Sequence, residues 1–294
     1  MNLIDSIAHL GLRLLKFNQR LDTEMNSGRI QSPLDLPSPP PKLEKKFLIH
    51  REQIHNNTMY TIQPKGIDPK EIIFFLHGGA YVHNSSHFHW EFIGEMVQSL
   101  KVKCLYLDYP LAPDSKCKAI LSFVETAYSL ALEEYPDSHF RIMGDSAGAG
   151  LALALFQKLK AESKKQPSEY ILLSPWLDVR MTNPEIPSLA EKDLILSSKG
   201  LIMAGEAYAG DLSTSHPWVS PITNQDWHGL PKTTILIGTH DILYPDSKLF
   251  HNTLVSQNRD HTWEEFPEML HDWFLFPTPN GKKGRMRIFE ILCR

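Results

Sequence analysis

Ser146 lies in Gly144-Asp145-Ser146-Ala147-Gly148, between an apolar run from Phe140 to Met143 and an Ala/Leu-rich stretch reaching Leu159. That pattern predicts a strand turning sharply into a helix, with the serine at the bend. Glycines two residues to either side leave no β-carbon where backbone and helix start crowd together. A surface turn rich in small residues would read the same way, so the serine needs partners. A serine hydroxyl attacks a carbonyl only when a base takes its proton, and the base needs an acid to fix its tautomer and stabilise the imidazolium. Asp241, in Gly238-Thr239-His240-Asp241, follows the apolar run Thr234 to Ile237, and His271 stands five residues after the run Thr262 to Phe266. All three candidates fall on loops that follow strands, in the order serine, acid, histidine. Among their rivals, Asp246 reads as a helix cap, His240 is tied to the loop before Asp241, and His261 precedes its strand.

Acyl transfer also needs donors for the oxygen that gains charge. The run Ile72 to Leu76 ends in His77-Gly78-Gly79-Ala80, and consecutive glycines allow a turn that points amide hydrogens at one spot. One or two of the amides of Gly78, Gly79 and Ala80, paired with that of Ala147, are the expected oxyanion donors, with a plain glycine turn as the alternative. Asp145 is assigned no chemical step. His77, His83, His87 and His89 form a local cluster, but their spacing matches no ligand set with a carboxylate or cysteine partner, so no metal is expected. No cofactor is implied.

The elements that must position these residues emerge from the patterning. Near-continuous apolar runs at 72–76, 102–107, 140–143, 171–173, 234–237 and 262–266 alternate with helical stretches at 90–100, 119–134, 147–160 and 246–257 and in the C-terminal tail. Strands buried on both faces of a parallel sheet read this way, so the fold class is α/β, a doubly wound, mostly parallel sheet. Phe47 to Glu52 and Thr58 to Gln63 flank Asn56-Asn57 and predict an antiparallel hairpin at its start. Leu3, Ile7, Leu10, Leu14, Phe17 and Leu21 form one apolar helical stripe, read as a helix packed on the body, with reversible membrane contact as the lesser alternative. The proline-rich stretch 32–41 can neither continue a helix nor enter a central sheet, so it is a linker or surface strap. Residues 180–220 offer no buried strand and read as a helical insertion over the carboxyl edge of the sheet. The expected organisation is residues 1–45 as helix and strap, 46–179 as the first part of the core, 180–220 as a cap, and 221–294 as the second part of the core.

Bulk properties narrow the partners. A net charge of −4, from 30 basic and 34 acidic residues that are interspersed, gives no basic face for nucleic acid. Three widely spaced cysteines with no Cys-x-x-Cys indicate neither a disulfide framework nor a zinc knuckle and suggest a reducing cytoplasm. Neither a signal peptide nor stable membrane insertion is expected from the N-terminus. A small neutral ligand fits best.

Beyond these readings, the chain resembles the hormone-sensitive-lipase-like branch of the α/β-hydrolases. His77-Gly78-Gly79-Ala80 looks like that family's His-Gly-Gly-Gly, Asp108-Tyr109-Pro110-Leu111-Ala112-Pro113-Asp114 like its Asp-Tyr-Arg-Leu-Ala-Pro-Glu, and Gly144-Asp145-Ser146-Ala147-Gly148 like its serine motif; Ser174-Pro175-Trp176-Leu177-Asp178 and Asp241-Ile242-Leu243 also look familial. Ala80, Pro110 and Ala149 depart from the pattern. The resemblance implies Ser146 as nucleophile, Asp241 as acid, His271 as base, amides of Gly78, Gly79 or Ala80 with Ala147 as oxyanion donors, and a cap made of the N-terminal segment and residues 180–220. The expected activity is a cofactor-free serine carboxylesterase acting on small esters of short to medium acyl chains. An amidase, arylformamidase or sugar deacetylase on the same residues is the alternative, with a non-catalytic small-molecule receptor behind it. A homo-oligomer is possible, and Tyr81, Trp90, Trp176, Trp218 and Trp273 are candidate pocket walls.

Overall fold

The computed structural model describes residues 3–30 and 32–293. The six apolar runs form parallel strands β3 (Glu71–Leu76), β4 (Lys103–Leu107), β5 (His139–Asp145), β6 (Glu169–Leu173), β7 (Lys232–Gly238) and β8 (His261–Phe266). An antiparallel hairpin, β1 (Leu48–Ile54) and β2 (Asn57–Gln63), joins through β2 to β4 and completes an eight-stranded sheet ordered β1-β2-β4-β3-β5-β6-β7-β8. The expected α/β class is the one found. The hairpin turn sits one residue earlier than expected. Ile54 pairs with Asn57, so His55 and Asn56 make the turn, and His55 takes the left-handed conformation at φ 53°.

Continuous apolarity in the central strands has a direct cause. On β3, Ile72, Phe74 and Leu76 pack into one core and Ile73 and Phe75 into another. Helices α5 (Cys117–Glu134), α6 (Ala147–Ala161) and α8 (Tyr244–Ser256) cover the first core, while α4 (His87–Leu100) and α9 (Pro279–Leu292) cover the second. Both faces of the central strands are therefore buried, and neither can carry a polar row. From β3 the chain moves to β4 on one side and then to β5 on the other. That reversal opens a crevice at the carboxyl ends of β3 and β5, where ligands of open α/β sheets bind.

The N-terminal stripe does not form one helix. Helix α1 (Leu3–Leu14) stops before Lys16, which adopts φ 47°; a 3₁₀ turn (Phe17–Gln19) follows, then α2 (Arg20–Ser27). Breaking the helix at Lys16 sends the two halves of the stripe in opposite directions. Ile7, Leu10 and Leu14 are more than half exposed, whereas Phe17 and Leu21 turn inward. The side chain of Leu3 lies outside the described residues. What α1 turns toward the body is the side bearing Asp5, Ala8 and Leu12, so the expected packing of its apolar stripe does not hold. The proline-rich stretch runs past the loop before α4: Leu36 N–H donates to Ser85 O at 2.6 Å, and the Trp90 indole N–H donates to Leu36 O at 2.7 Å. Its last proline opens α3 (Pro41–Lys46), a position where the missing amide hydrogen costs nothing. Between β6 and β7 the chain forms two 3₁₀ turns and α7 (Ser198–Ala209), which packs against α2. Among the described residues, no helix is long and apolar enough to cross a membrane.

Candidate active site

Ser146 stands between the end of β5 and the first residue of α6, at φ 50° and ψ −118°. A non-glycine residue there is strained and persists only where its surroundings over-determine it. They do so here: Ser146 N–H donates to Leu173 O at 2.9 Å, and Trp176 N–H donates to Ser146 O at 3.0 Å. A β-carbon at Gly148 would collide with the carbonyl of Leu76, so the turn can be this tight only with glycine in that place. The serine hydroxyl has no hydrogen-bond partner among the described residues, and Ser146 lines a cavity.

Asp241 and His271 meet. Asp241, on the loop after β7, is wholly buried; its Oδ1 accepts from Leu243 N–H at 2.9 Å, and its Oδ2 lies 2.8 Å from His271 Nδ1. His271, on the loop after β8, lines the same cavity as Ser146. Two carboxylates missed in the sequence complete this edge. Asp272 Oδ2 lies 3.1 Å from His271 Nε2, so the imidazole is held at both nitrogens. Asp193, from the segment between β6 and β7, accepts from Ile242 N–H at 2.9 Å with one oxygen and from the amides of Ile195 and Leu196 with the other. It thereby ties that segment to the residue following Asp241. Burial pushes His271 down, but the charges of Asp241 and Asp272 and their hydrogen bonds outweigh it, and the ring is held well above its ordinary value. Burial pushes Asp272 and Asp193 up, and in both the nearby Asp241 charge adds to the rise.

The loop after β3 divides its amides between two tasks. Gly78 N–H donates to Asp145 Oδ2 at 2.9 Å, and the same oxygen lies 3.1 Å from His89 Nε2. Asp145 thus fastens the serine turn to the neighbouring loop, and the Gly78 amide is committed there, which removes it from the expected oxyanion donors. Gly79, Ala80 and Tyr81 take φ of 110°, 53° and 64°. Among the described residues, the amides of Gly79 and Ala80 donate to nothing, and both residues line the cavity beside Ser146. Ala147, the first residue of α6, likewise has no carbonyl one turn back to receive its amide hydrogen.

The four histidines disperse among separate partners. His77 is stacked on Tyr109 at 4.3 Å, and burial lowers its pKa to about 4, so it is neutral packing. His83 pairs with Glu24 of α2 at 2.8 Å, the His87 ring lies tilted against Phe88 at 3.8 Å, and His89 holds Asp145. No metal-binding group of three or more such side chains occurs among the described residues. The rivals to Asp241 and His271 are engaged elsewhere: Asp246 accepts from the Asn183 amide at 2.9 Å, and His261 lies 2.9 Å from His251.

The cavity has a volume of about 220 Å³. Around Ser146, Gly79, Ala80 and His271, its apolar walls include Phe17, Leu21, Leu34, Phe88, Leu201 and Phe276. None of the five aromatic residues expected as walls is among them. Tyr81, Trp90 and Trp176 are completely buried in the two cores, Tyr81 stacked on Tyr208 at 3.7 Å. Trp218 lies against a separate surface pocket, and Trp273 lines a neighbouring cavity. The largest rings went where most buried area is gained. The real walls had two legible signals, the last two members of the N-terminal stripe and the 180–220 insertion, which supplies Leu201.

Residues 73–275 match a family described as having the alpha/beta hydrolase fold. The chain is 32% identical over 230 residues to an esterase of Acinetobacter venetianus, with 75% of this chain and 74% of that protein covered. It is 28% identical over 226 residues to an acetyl-hydrolase of Streptomyces hygroscopicus, covering 76% and 75% of the two chains. Among solved structures, an esterase of the bacterial hormone-sensitive lipase family superposes with a TM-score of 0.79 at 25% identity, covering 94% of this chain and 89% of the other. EstE5, in a crystal soaked with p-nitrophenyl butyrate, gives a TM-score of 0.80 at 26% identity, with 96% and 97% covered. This chain belongs to the alpha/beta hydrolase family, and its resemblance within that family is to the esterases of the bacterial hormone-sensitive lipase branch.

Proposed function

We propose that the protein is a serine carboxylesterase with Ser146 as nucleophile, His271 as general base and acid, and Asp241 as the group that orients the imidazole. One observation carries this reading: a 2.8 Å His271–Asp241 hydrogen bond opens onto the cavity where an unpartnered serine hydroxyl lies beside the uncommitted amides of Gly79 and Ala80. When an ester fills the cavity, His271 Nε2 exchanges Asp272 for the Ser146 hydroxyl. The serine oxygen bonds to the acyl carbon while its proton passes to Nε2. The negative oxygen of the tetrahedral intermediate accepts from the amides of Gly79, Ala80 and Ala147, which are in place before charge develops. Collapse breaks the ester C–O bond, and the leaving alcohol takes the proton from Nε2. Water, activated by the same nitrogen, then releases the acid and restores Ser146. The α2 segment and the stretch holding α7 form the cover, and the small cavity beside Ser146 by itself accommodates short to medium acyl groups, in keeping with the acetyl-hydrolase among the relatives.

The test is hydrolysis of p-nitrophenyl butyrate by the wild type and by Ser146→Ala. Loss of about 10⁴-fold or more in kcat is expected, because an oxyanion hole and binding alone retain only a small part of such catalysis. Equal rates would overturn the assignment. A matched anilide, cut more slowly than the ester, separates the esterase from an amidase on the same residues.

A further inference from the structure

A second cavity lies directly behind the catalytic one. Its volume is about 430 Å³, nearly twice the 220 Å³ beside Ser146, and it is roofed by Ala8, Gly11 and Leu12 of α1. Its opposite side is Met269, Trp273 and Pro277, from the loops between β8 and α9, with Asp5, His9, Thr278 and Asn280 as its polar minority. Four residues belong to both cavities: Phe17, Leu34, Phe88 and Phe276. They form an apolar partition shared by the two cavities, with Ser146 lining one and the underside of α1 lining the other.

We propose that this second cavity is an acyl-chain chamber, and that esters whose acyl chains outgrow the catalytic cavity extend past the four-residue partition into the space under α1. The inference rests on the serine-esterase reading and names its substrate class as esters of long, unbranched fatty acids. Two observations support that occupant. The catalytic cavity alone falls below the roughly 300–1,000 Å³ usual for ligand pockets, and the neighbouring space supplies the missing room. The partition consists wholly of apolar side chains, which a hydrocarbon chain can pass without leaving a polar group unpaired, whereas a sugar or peptide could not. Each methylene taken from water into such a space improves affinity by about fourfold, so a chamber of this size discriminates strongly by chain length. Gly11 marks the roof: a β-carbon built there meets no atom within 4 Å, so the helix leaves this space open at that position.

Gly11 also gives a clean way to close the chamber. Replacing a glycine inside a helix removes a backbone-entropy penalty, so the substitution does not threaten α1. Wild type, Gly11→Ala, Gly11→Trp and Ala8→Trp are compared on p-nitrophenyl esters from butyrate to palmitate, together with binding of a fluorescent long-chain fatty acid. The wild type is expected to cleave dodecanoate with a kcat/KM at least equal to that on butyrate. Gly11→Trp and Ala8→Trp are expected to lose about tenfold or more on dodecanoate and to weaken fatty-acid binding, with butyrate within twofold of wild type, while Gly11→Ala follows the wild type. An unchanged dodecanoate-to-butyrate ratio and unchanged fatty-acid binding in both tryptophan variants would overturn the chamber, as would a wild type that cleaves butyrate but not dodecanoate. Should no ester be cleaved, the serine-esterase reading fails by itself. Fatty-acid binding blocked by Gly11→Trp would still uphold the chamber, and binding indifferent to it would refute it.

Discussion

Two regions meet at the catalytic cavity and are held in different ways. The loops at the carboxyl ends of β5, β7 and β8 are fixed by strands of one sheet, β5 and β7 being buried over most of their length: Ser146, Asp241 and His271 are at most 4% exposed, and the backbone at Ser146 is hydrogen-bonded on both sides. The N-terminal cover is set by short elements. Helix α1 leaves Ile7 61% and Leu14 76% exposed, and its apolar stripe is cut by one left-handed lysine. Chemistry that tolerates errors of a fraction of an ångström sits where the sheet dictates position. Three of the apolar walls, Phe17, Leu21 and Leu34, come from a segment that contributes no strand to the sheet, and its sequence can change without moving the reacting groups.

The largest effect should come from the fixed side. Asp241→Asn keeps the shape but presents the wrong partner to His271 Nδ1, and kcat should fall by about 10⁴-fold. Asp272→Asn touches the other nitrogen of the same ring and should act on pH dependence instead. The Asp272 charge helps hold His271 above its ordinary value, and the base must be neutral to accept the serine proton. Removing that charge lets His271 lose its proton at lower pH, so the acidic limb of the kcat/KM profile should move to lower pH. A limb that stays in place would mean that Asp272 only packs. The smallest effect belongs to the cover: Ile7→Lys with Leu14→Lys alters an exposed face and should leave butyrate hydrolysis within about twofold. A large loss there would break the contrast by coupling the outer face of α1 to the reaction.

How much of this was legible depended on whether a feature is local or arises from folding. Near-continuous apolar runs revealed the parallel sheet because burial on both faces leaves no room for alternation, and glycines around Ser146 and after β3 marked the two turns. Asp241 and His271 could be picked out because strand-end loops gather at one edge. The other contacts cross the chain. Asp193 reaches Ile242 across 49 residues, and Gly78 reaches Asp145 across 67; no local pattern records either pairing. Asp272 meets Nε2 of its neighbour because its own backbone is left-handed, at φ 47°, where ordinary propensity would not put an aspartate. The division of the N-terminal stripe followed from a single residue conformation at Lys16, which apolar periodicity cannot sense.

The central claim is that Ser146 is an activated nucleophile. Intact-mass measurement after treating folded wild type and Ser146→Ala with a fluorophosphonate tests it most directly. One stoichiometric adduct on the wild type, mapped to Ser146 and absent from the variant, with loss of ester hydrolysis in step with labelling, is the predicted result. A folded wild type that stays unlabelled while still hydrolysing the ester, or labelling that survives Ser146→Ala, would contradict it.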